Sequence, residues 1–219
     1  LNTPDVLFAD VDMAERPSGC AIPFGVSAVV AAIAFAVGFF AWHWLAGVAL
    51  AIMAVWAVNR IALRRRQAAF DRDGGAEARA LALVDAFSAT HPDWHLRVYR
   101  TPAGLRVLAM HRTFQPQDDD AAMLFSALQA DHLYTVMCKV QHCFRARLTP
   151  KPWRIGIHRR IRPPVAAWSA EQATLPERLA WIAGYEQRSS GHAACRYLRS
   201  LGDTSRVDPK AEHVRALHD

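Results

Sequence analysis

The residues with the most evident chemistry form a long stretch without any acid, from His132 to Ala170. Eight arginines and lysines recur through it, and aromatic rings such as Phe144 and Trp153 stand between them. Cations follow phosphates and aromatic rings stack on bases, so the pattern suits nucleic acid or a nucleotide. It equally suits the anionic inner leaflet of a membrane, where each base contributes about 1 kcal/mol. A protein partner is the third possibility.

The candidate anion-binding residues combine this stretch with two arginines from a predicted β-hairpin. They are Arg97, Arg106, Lys139, Arg145, Arg147, Lys151, Arg154, Arg159, Arg160 and Arg162. Arginine outnumbers lysine 23 to 3 in the whole chain. Arginine forks grip phosphate in two places, but so many arginines and alanines are also typical of a GC-rich bacterial genome. Arginine content alone therefore does not indicate phosphate recognition.

Cysteine and histidine spacing offers a second chemistry. The chain has four cysteines, Cys20, Cys138, Cys143 and Cys195. These are too few for a disulfide scaffold, and cytoplasmic thiols stay reduced. On a helix Cys138 and His142 share a face while Cys143 turns aside, which does not suit the convergent ligands of zinc. We therefore predict buried free thiols and no metal. Cys–His pairs for nucleophilic catalysis cannot be placed without a fold.

The acids Asp118, Asp119 and Asp120 precede a predicted helix. Carboxylates can hold Mg²⁺, but acids at this position also stabilise the positive end of a helix and cap it. The chain has no Gly-x-Ser-x-Gly, no Gly-x-x-x-x-Gly-Lys and no Gly-x-Gly-x-x-Gly, so the usual nucleophile and phosphate-loop motifs are missing. We expect no cofactor, and the sequence favours a protein that is not an enzyme.

The segment Tyr99-Arg100-Thr101-Pro102-Ala103-Gly104-Leu105-Arg106 resembles, over these eight residues, the hairpin motif of primase–polymerase folds. Such enzymes place a Thr or Ser and a Gly before a basic residue or His. They also use an acid-x-acid pair for metal, which the preceding predicted strand lacks. No activity follows from the resemblance.

Residues 21–58 decide how this chemistry is positioned, because no Asp, Glu, Lys or Arg lies between Pro17 and Asn59. One helix of 38 residues would run about 57 Å, nearly twice the roughly 30 Å of hydrocarbon in a bilayer. Two helices of about 19 residues fit. The sequence therefore predicts a transmembrane helical hairpin that turns near the aromatic residues 39–44. Small residues in both helices would allow close contact and a homo-oligomer.

Orientation follows from the arginines after the second span, at Arg60 and Arg64–Arg66. Positive residues stay on the cytoplasmic side. We therefore expect a multi-pass protein of the inner membrane with both termini in the cytoplasm. Formal charge is −3 before Arg60 and +9 from Arg60 onward, which sums to +6. The predicted divisions are an acidic N-terminal tail (1–20), the hairpin (21–59), a basic juxtamembrane helix and linker (60–75) and a cytoplasmic domain (76–219).

The cytoplasmic domain is predicted to be α+β. Its clearest signal is a β-hairpin of residues 94–100 and 105–111 around Thr101-Pro102-Ala103-Gly104, with Arg100 opposite Leu105. This register places Trp94, Leu96, Val98, Leu105, Val107 and Ala109 on a core face, and His95, Arg97, Tyr99 and Arg106 on a partly wet face. Helices are predicted at 76–90, 118–130 and 132–142, and strands at 143–149 and 154–162. A capping box at 174–177 is expected to open a further helix that buries Leu179, Ile182 and Tyr185. The last predicted elements are a strand or helix at 192–201 and a short helix at 209–218.

Two main functions remain open from the sequence, besides a small transport or channel accessory, against which two spans without a buried charge argue unless the hairpin oligomerises. The first is a membrane-anchored cytoplasmic binding or scaffolding protein, whose basic surface meets anionic lipid headgroups, nucleic acid or a protein. The second is a membrane-tethered enzyme or binding domain that acts on nucleotides or nucleic acid. The second requires carboxylates of Asp118–Asp120 to converge with Arg97, Arg106 or Arg145 in one pocket.

Overall fold

A computed structural model describes residues 1–13, 15–158 and 169–219. These residues form two compact units: Met13–Ala82, and Leu1–Asp12 together with Leu83–Asp219. The helices are α1 (Phe24–Ala41), α2 (Trp44–Arg72), α3 (Gly75–Thr90), α4 (Asp119–Ala127), α5 (His132–Gln141), α6 (Ala170–Ala173), α7 (Pro176–Ser189) and α8 (Pro209–His218). The strands are β1 (Asn2–Thr3), β2 (Phe8–Asp12), β3 (His95–Arg100), β4 (Gly104–Ala109), β5 (Phe144–Arg145) and β6 (Arg196–Gly202).

The unit Met13–Ala82 contains the two apolar helices that the sequence predicts. Both α1 and α2 are long and apolar enough to cross a membrane, with mean hydropathies of 2.3 and 1.8 in their most apolar windows. Only 6% of each window is buried, whereas the core helix of a water-soluble protein would be mostly buried. The helices turn at Trp42 and His43, inside the predicted aromatic segment, and His43 Nδ1 accepts a hydrogen bond from the Leu45 amide.

Glycines bring α1 and α2 into close contact. A Cβ atom on Gly38 would lie 2.6 Å from the Cα of Gly47, and one on Gly47 would lie 2.7 Å from the Phe35 carbonyl oxygen. Both neighbours are backbone atoms, which cannot move aside as a flexible side chain can. Small residues at this crossing are therefore required by the packing.

The other unit is built on a four-stranded antiparallel sheet in the order β2-β4-β3-β6. The predicted hairpin is β3–β4, and its register, with Arg100 opposite Leu105, is confirmed. All six residues of the predicted core face are buried, none more than 5% exposed. On that face Asp85 of α3 accepts a hydrogen bond from Arg199 of β6 at 2.5 Å.

The N-terminal segment differs from the predicted acidic tail, because residues 1–12 belong to this sheet unit. Strand β2 pairs antiparallel with β4, with Phe8 opposite Leu108 and Asp12 opposite Gly104. The apolar residues Val6–Ala9 and Val11 are at most 3% exposed. Because acids alternate with apolar residues in β2, its composition resembles that of a charged tail. Its partner β4 follows both apolar helices in the sequence, so the pairing could not be inferred from neighbouring residues.

The second face of the sheet, predicted to be at least partly wet, is mostly covered, and of the four residues assigned to it Arg97 alone is half-buried rather than buried. His95, Tyr99 and Arg106 are 6%, 1% and 4% exposed. Helix α8 contacts this face, because the His218 ring lies 5.3 Å from Phe8 and 4.7 Å from Tyr99, centroid to centroid. The short C-terminal helix was predicted, but its position on the polar face of the hairpin was not.

Between the hairpin and the later helices, several predicted elements change. Helices α4 and α5 are confirmed, with Leu124, Phe125 and Leu128 buried. The predicted strand 143–149 shortens to β5, which pairs with β1. Residues Pro152–Ile155 form a 3-10 turn instead of the start of a strand, since Pro152 begins it, and residues 159–162 lie outside the described chain.

The capping box predicted at residues 174–177 is not formed, and a capping box occurs five residues earlier. It forms at Ser169 and Gln172, where the Ser169 hydroxyl accepts from the Gln172 amide and caps α6. Helix α7 begins after Leu175, without a side-chain cap. Its predicted core residues are not buried: Leu179 is 53% exposed, and Ile182 and Tyr185 are half-buried. Strand β6 and helix α8 confirm the last two predicted elements.

Candidate functional site

An ion pair between half-buried Asp10 and buried Arg106 joins β2 and β4 beneath α8. Asp10 and Arg106 are direct cross-strand partners, so their side chains leave the sheet on the same face. Arg106 donates from Nε to Asp10 Oδ1 at 2.7 Å and from Nη2 to Oδ2 at 3.1 Å. This fork geometry is the strongest that arginine forms with a carboxylate. Because the Arg106 side chain is only 5% exposed, the carboxylate supplies the counter-charge that burial requires.

The same guanidinium reaches two further groups. Its Nη1 donates to the Arg147 carbonyl oxygen at 3.0 Å and lies 3.4 Å from His218 Nε2. The sheet, the segment after β5 and the end of α8 therefore meet at Arg106. A residue in this position holds elements together and has little surface for a ligand.

A cysteine and an acid complete the surroundings of His218. The Cys195 sulfur lies 3.5 Å from His218 Nε2, and Asp219 Oδ1 lies 3.2 Å from Nδ1. The His218 side chain is fully buried, whereas Cys195 keeps part of its surface exposed. Three chemically distinct groups thus stand in a row: a thiol, an imidazole and a carboxylate. The order matches nucleophile, base and orienting group in cysteine and serine hydrolases.

Electrostatics set the protonation of this row. Burial lowers the pKa of His218, with Arg106 adding to the effect, although the hydrogen bond to Asp219 opposes it. Burial also raises the pKa of the Cys195 thiol. Asp219 is held below its ordinary pKa because hydrogen bonds from Tyr99, His218 and Arg215 outweigh its burial. At neutral pH the row therefore contains a thiol, a neutral imidazole and a carboxylate.

Further donors fix the position of Asp219. The Tyr99 hydroxyl donates to Oδ1 at 2.8 Å, and Arg97 and Arg215 each donate to Oδ2 at 2.9 Å. Arg97 also donates to the Tyr99 oxygen at 2.9 Å and lies over the Tyr197 ring at 4.3 Å. The carboxylate is held from β3 and from α8 at once, which leaves it one orientation.

The predicted anion-binding residues therefore separate into groups. Arg97 and Arg106 already pair with acids of the chain, Asp219 and Asp10, and Arg106 is buried. Lys139, Arg147 and Arg154 have exposed side chains. Arg145 and Lys151 are half-buried, with Lys151 Nζ 5.1 Å from the Trp153 ring centroid. Arg159, Arg160 and Arg162 lie outside the described residues.

Large apolar side chains accompany the exposed cations. On α5, Leu133, Val136 and Val140 are 68%, 40% and 68% exposed. Their spacing of three and seven residues places them on one face of the helix, away from the buried Cys138. Beyond α5, Leu148 and Trp153 are 40% and 56% exposed. We call residues 132–158 the basic segment: it combines exposed cations with exposed apolar residues and contains no acid.

The other candidate ligands do not assemble. Asp118 accepts from the Gln115 amide, and Asp120 pairs with Arg112, so these carboxylates do not meet Arg97, Arg106 or Arg145. Cys138 is buried and free, as predicted, with a pKa raised by burial. In the described ranges no group of three or more histidines, cysteines or acids could hold a metal ion.

An acid-x-acid pair does occur, on β2 rather than on the strand before the hairpin. Asp10 and Asp12 lie two residues apart and so share a face. Asp10 is bound by Arg106, while burial and the nearby Asp131 and Asp10 raise the pKa of Asp12. The pair is therefore already partly neutralised by the protein itself. Sequence reasoning missed this pair because Asp10 and Asp12 were assigned to an acidic tail. It missed the Cys195–His218–Asp219 row because Cys195 lies 23 residues before His218.

Comparisons with protein-family models, curated proteins and solved structures give no match for this chain.

Proposed function

We propose that the chain is a membrane-anchored binding module. Helices α1 and α2 cross the bilayer as a hairpin, and the sheet unit lies in the cytoplasm, where the basic segment binds anionic lipid headgroups. The proposal joins an anchor to a binding surface and assigns no catalytic step. Its parts rest on different features of the chain.

Strand pairing supports the two-span topology. Strand β2 precedes α1 and strand β4 follows α2, yet the two are hydrogen-bonded neighbours in one sheet. If the apolar helices span a bilayer, a shared sheet requires both ends of the hairpin to emerge on one side. Two crossings meet this requirement and a single crossing does not. The arginines at 60 and 64–66 favour the cytoplasmic side.

The observation that carries the binding proposal is the composition of the basic segment. Three exposed cations and five exposed large apolar residues occur there without an acid. Lipid interfaces reward this combination, because apolar side chains enter the headgroup region while cations meet anionic phosphates. A domain already tethered to the bilayer needs no additional partner to use such a surface.

The test presents a second membrane to the full-length chain. The protein is placed in nanodiscs of neutral lipid, and binding to added vesicles of neutral or phosphatidylglycerol-containing lipid is measured by co-flotation, with single-stranded DNA as competitor. We expect binding to the anionic vesicles only. Arg147→Gln should weaken it about fivefold, since one base contributes about 1 kcal/mol. Arg196→Gln, which removes an exposed arginine outside the basic segment, is the matched control.

Two outcomes would reject lipid binding. If single-stranded DNA displaces the protein from anionic vesicles at a concentration lower than the lipid concentration needed for vesicle binding, the nucleic-acid alternative is favoured. Two of the acids that this alternative would use for a metal already have partners: Asp118 accepts from the Gln115 amide and Asp120 pairs with Arg112. Binding to neither vesicles nor DNA would instead favour a protein partner for the basic segment.

A further inference from the structure

We propose that Cys195, His218 and Asp219 form a nucleophilic site in which the Cys195 thiol accepts an acyl group from an activated ester or thioester. The sulfur lies 3.5 Å from His218 Nε2, and the opposite ring nitrogen lies 3.2 Å from Asp219 Oδ1. A thiol, an imidazole and a carboxylate in this order are what an activated thiol nucleophile requires. The inference is independent of the membrane-binding function proposed above.

The tautomer of His218 follows from its neighbours. Asp219 Oδ1 is a carboxylate oxygen and can only accept, so Nδ1 carries the proton and donates it. Nε2 is then the acceptor, and two donors approach it: Arg106 Nη1 at 3.4 Å and the Cys195 thiol at 3.5 Å. Proton transfer from the thiol therefore requires Nε2 to accept from Cys195 in place of Arg106, which keeps its hydrogen bond to the Arg147 carbonyl oxygen. This is the tautomer in which imidazole removes a proton from a nucleophile. Tyr99, Arg97 and Arg215 hold Asp219 in place, so the imidazole cannot easily turn away.

Several elements pack against the His218 imidazole, and each contributes charged or titratable groups. Strand β4 contributes Arg106, β2 contributes Asp10, and β3 contributes Tyr99 and Arg97. Cys195 precedes β6, and α8 contributes Arg215 and Asp219. Arg106 is the nearest cation to the ring, and its positive charge favours negative charge on the Cys195 sulfur.

The step conserves atoms and charge. The Cys195 Sγ–H bond breaks and its proton passes to His218 Nε2, while the sulfur forms a bond to the acyl carbon. The bond from that carbon to the leaving oxygen or sulfur then breaks. His218 returns the proton to the leaving alcohol or thiol, and an acyl thioester on Cys195 remains. Nothing is oxidised or reduced, and the acyl donor is the single co-reactant.

An ester or thioester donor is favoured over a disulfide by the protonation of the row. The thiol is protonated at neutral pH because burial raises its pKa. The nucleophile therefore needs a base, and the base then holds a proton that the leaving group can take. In acyl transfer His218 first takes this proton from the thiol and then gives it to the leaving group. Disulfide exchange instead proceeds from a thiolate that is already free. Cys195 as a residue is half-buried, and the donor would approach from its exposed side.

The test uses the full-length chain in detergent with p-nitrophenyl acetate as the acyl donor. Release of nitrophenolate and the acetylated cysteine, identified by peptide mass spectrometry, are followed together. We expect Cys195 to be acetylated at pH 7 about 100-fold faster than the exposed Cys20, which is the internal control. Cys195→Ser should remove the fast phase, and His218→Gln should slow it about 100-fold.

The pH dependence of the Cys195 acetylation rate in the unaltered protein tests the proposal even if His218→Gln fails to fold. A thiol that reacts only as free thiolate becomes about tenfold more reactive per pH unit below its pKa. Acetylation assisted by neutral His218 should instead be nearly flat from about pH 6.5 to 8, because the pKa of His218 lies below its ordinary 6.5. A tenfold rise per unit, or a Cys195 slower than Cys20, would show that the row is purely structural and overturn the proposal.

Discussion

Arg106 shows how one residue can mislead a composition-based interpretation. From the sequence it is one of several arginines suited to an outside anion. In the structure its counter-ion is internal, because β2 places Asp10 directly opposite it. The pairing could not be predicted, since 96 positions separate the two residues and the intervening chain contains both apolar helices. By contrast, Lys139, Arg147 and Arg154 are exposed, and anion binding by them stays a prediction.

The Asp10–Arg106 pair leads to a stability prediction at this scale. Asp10→Asn removes the counter-charge from a guanidinium that is 5% exposed, so we expect a loss of about 3 kcal/mol in the free energy of unfolding. Urea denaturation of the full-length chain, followed by tryptophan fluorescence, measures it. Asp120→Asn is the matched control, because the Arg112–Asp120 pair is 40% and 51% exposed and should contribute less than about 1 kcal/mol. Equal losses in both variants would contradict the assigned role of Asp10.

At the level of elements, the sequence predicted local pairing well and packing between distant elements poorly. The β3–β4 hairpin and its register follow from alternation and from a four-residue turn with Pro102 and Gly104. Gly104 has a second role that its turn does not reveal: a Cβ there would lie 1.9 Å from the Val11 carbonyl oxygen. The wet face assigned to Tyr99 was wrong because α8, far along the chain, covers it.

Helix α7 illustrates the opposite error. Its apolar residues recur at helical spacing, which predicts a buried face. The helix does form, but none of its residues is buried. Periodicity identifies which side of a helix is apolar. It does not supply the element that would cover that side.

The contact between α1 and α2 gives a prediction for an element pair. Gly38→Val would place side-chain atoms against the backbone of Gly47, only 2.6 Å away even for Cβ, so the helices must separate. We expect a loss of about 1 to 3 kcal/mol, as for overpacking elsewhere. Thermal unfolding in detergent, monitored by circular dichroism, measures it. Gly25→Val lies in the same helix with nothing within 4 Å of its Cβ and should leave the unfolding temperature unchanged; a similar fall in both would reject the contact.

For the whole molecule, the division of the chain is the main departure from the predicted domains. The sheet unit is assembled from Leu1–Asp12 and Leu83–Asp219, with the apolar helices inserted between them in sequence. Composition separates an acidic start, an apolar middle and a basic remainder, and therefore suggests three successive parts. Hydrogen bonds between β2 and β4 join the first part to the last, and no local property of either segment reveals this.

This arrangement predicts which fragments can fold. A chain of residues 83–219 alone lacks β2, so the β4 edge is unpaired and Arg106 loses Asp10. We expect it to remain without fixed tertiary structure, as judged by the dispersion of its amide NMR spectrum. Residues 1–13 joined by a long Gly/Ser linker to residues 83–219 should give a dispersed spectrum without the apolar helices. Equal dispersion from the fragment alone would mean that β2 is dispensable.

The pairing of β2 with β4 also imposes an order of events during synthesis. Strand β2 leaves the ribosome first, but Gly104, the partner of Asp12, is made 92 residues later, about 5 to 20 s at ordinary elongation rates of about 5–20 residues per second. Throughout that interval the apolar strand β2 has open backbone hydrogen-bonding groups and no β4 to pair with, a state prone to aggregation. Folding of the sheet unit thus depends on keeping residues 8–12 unpaired until β4 has been made.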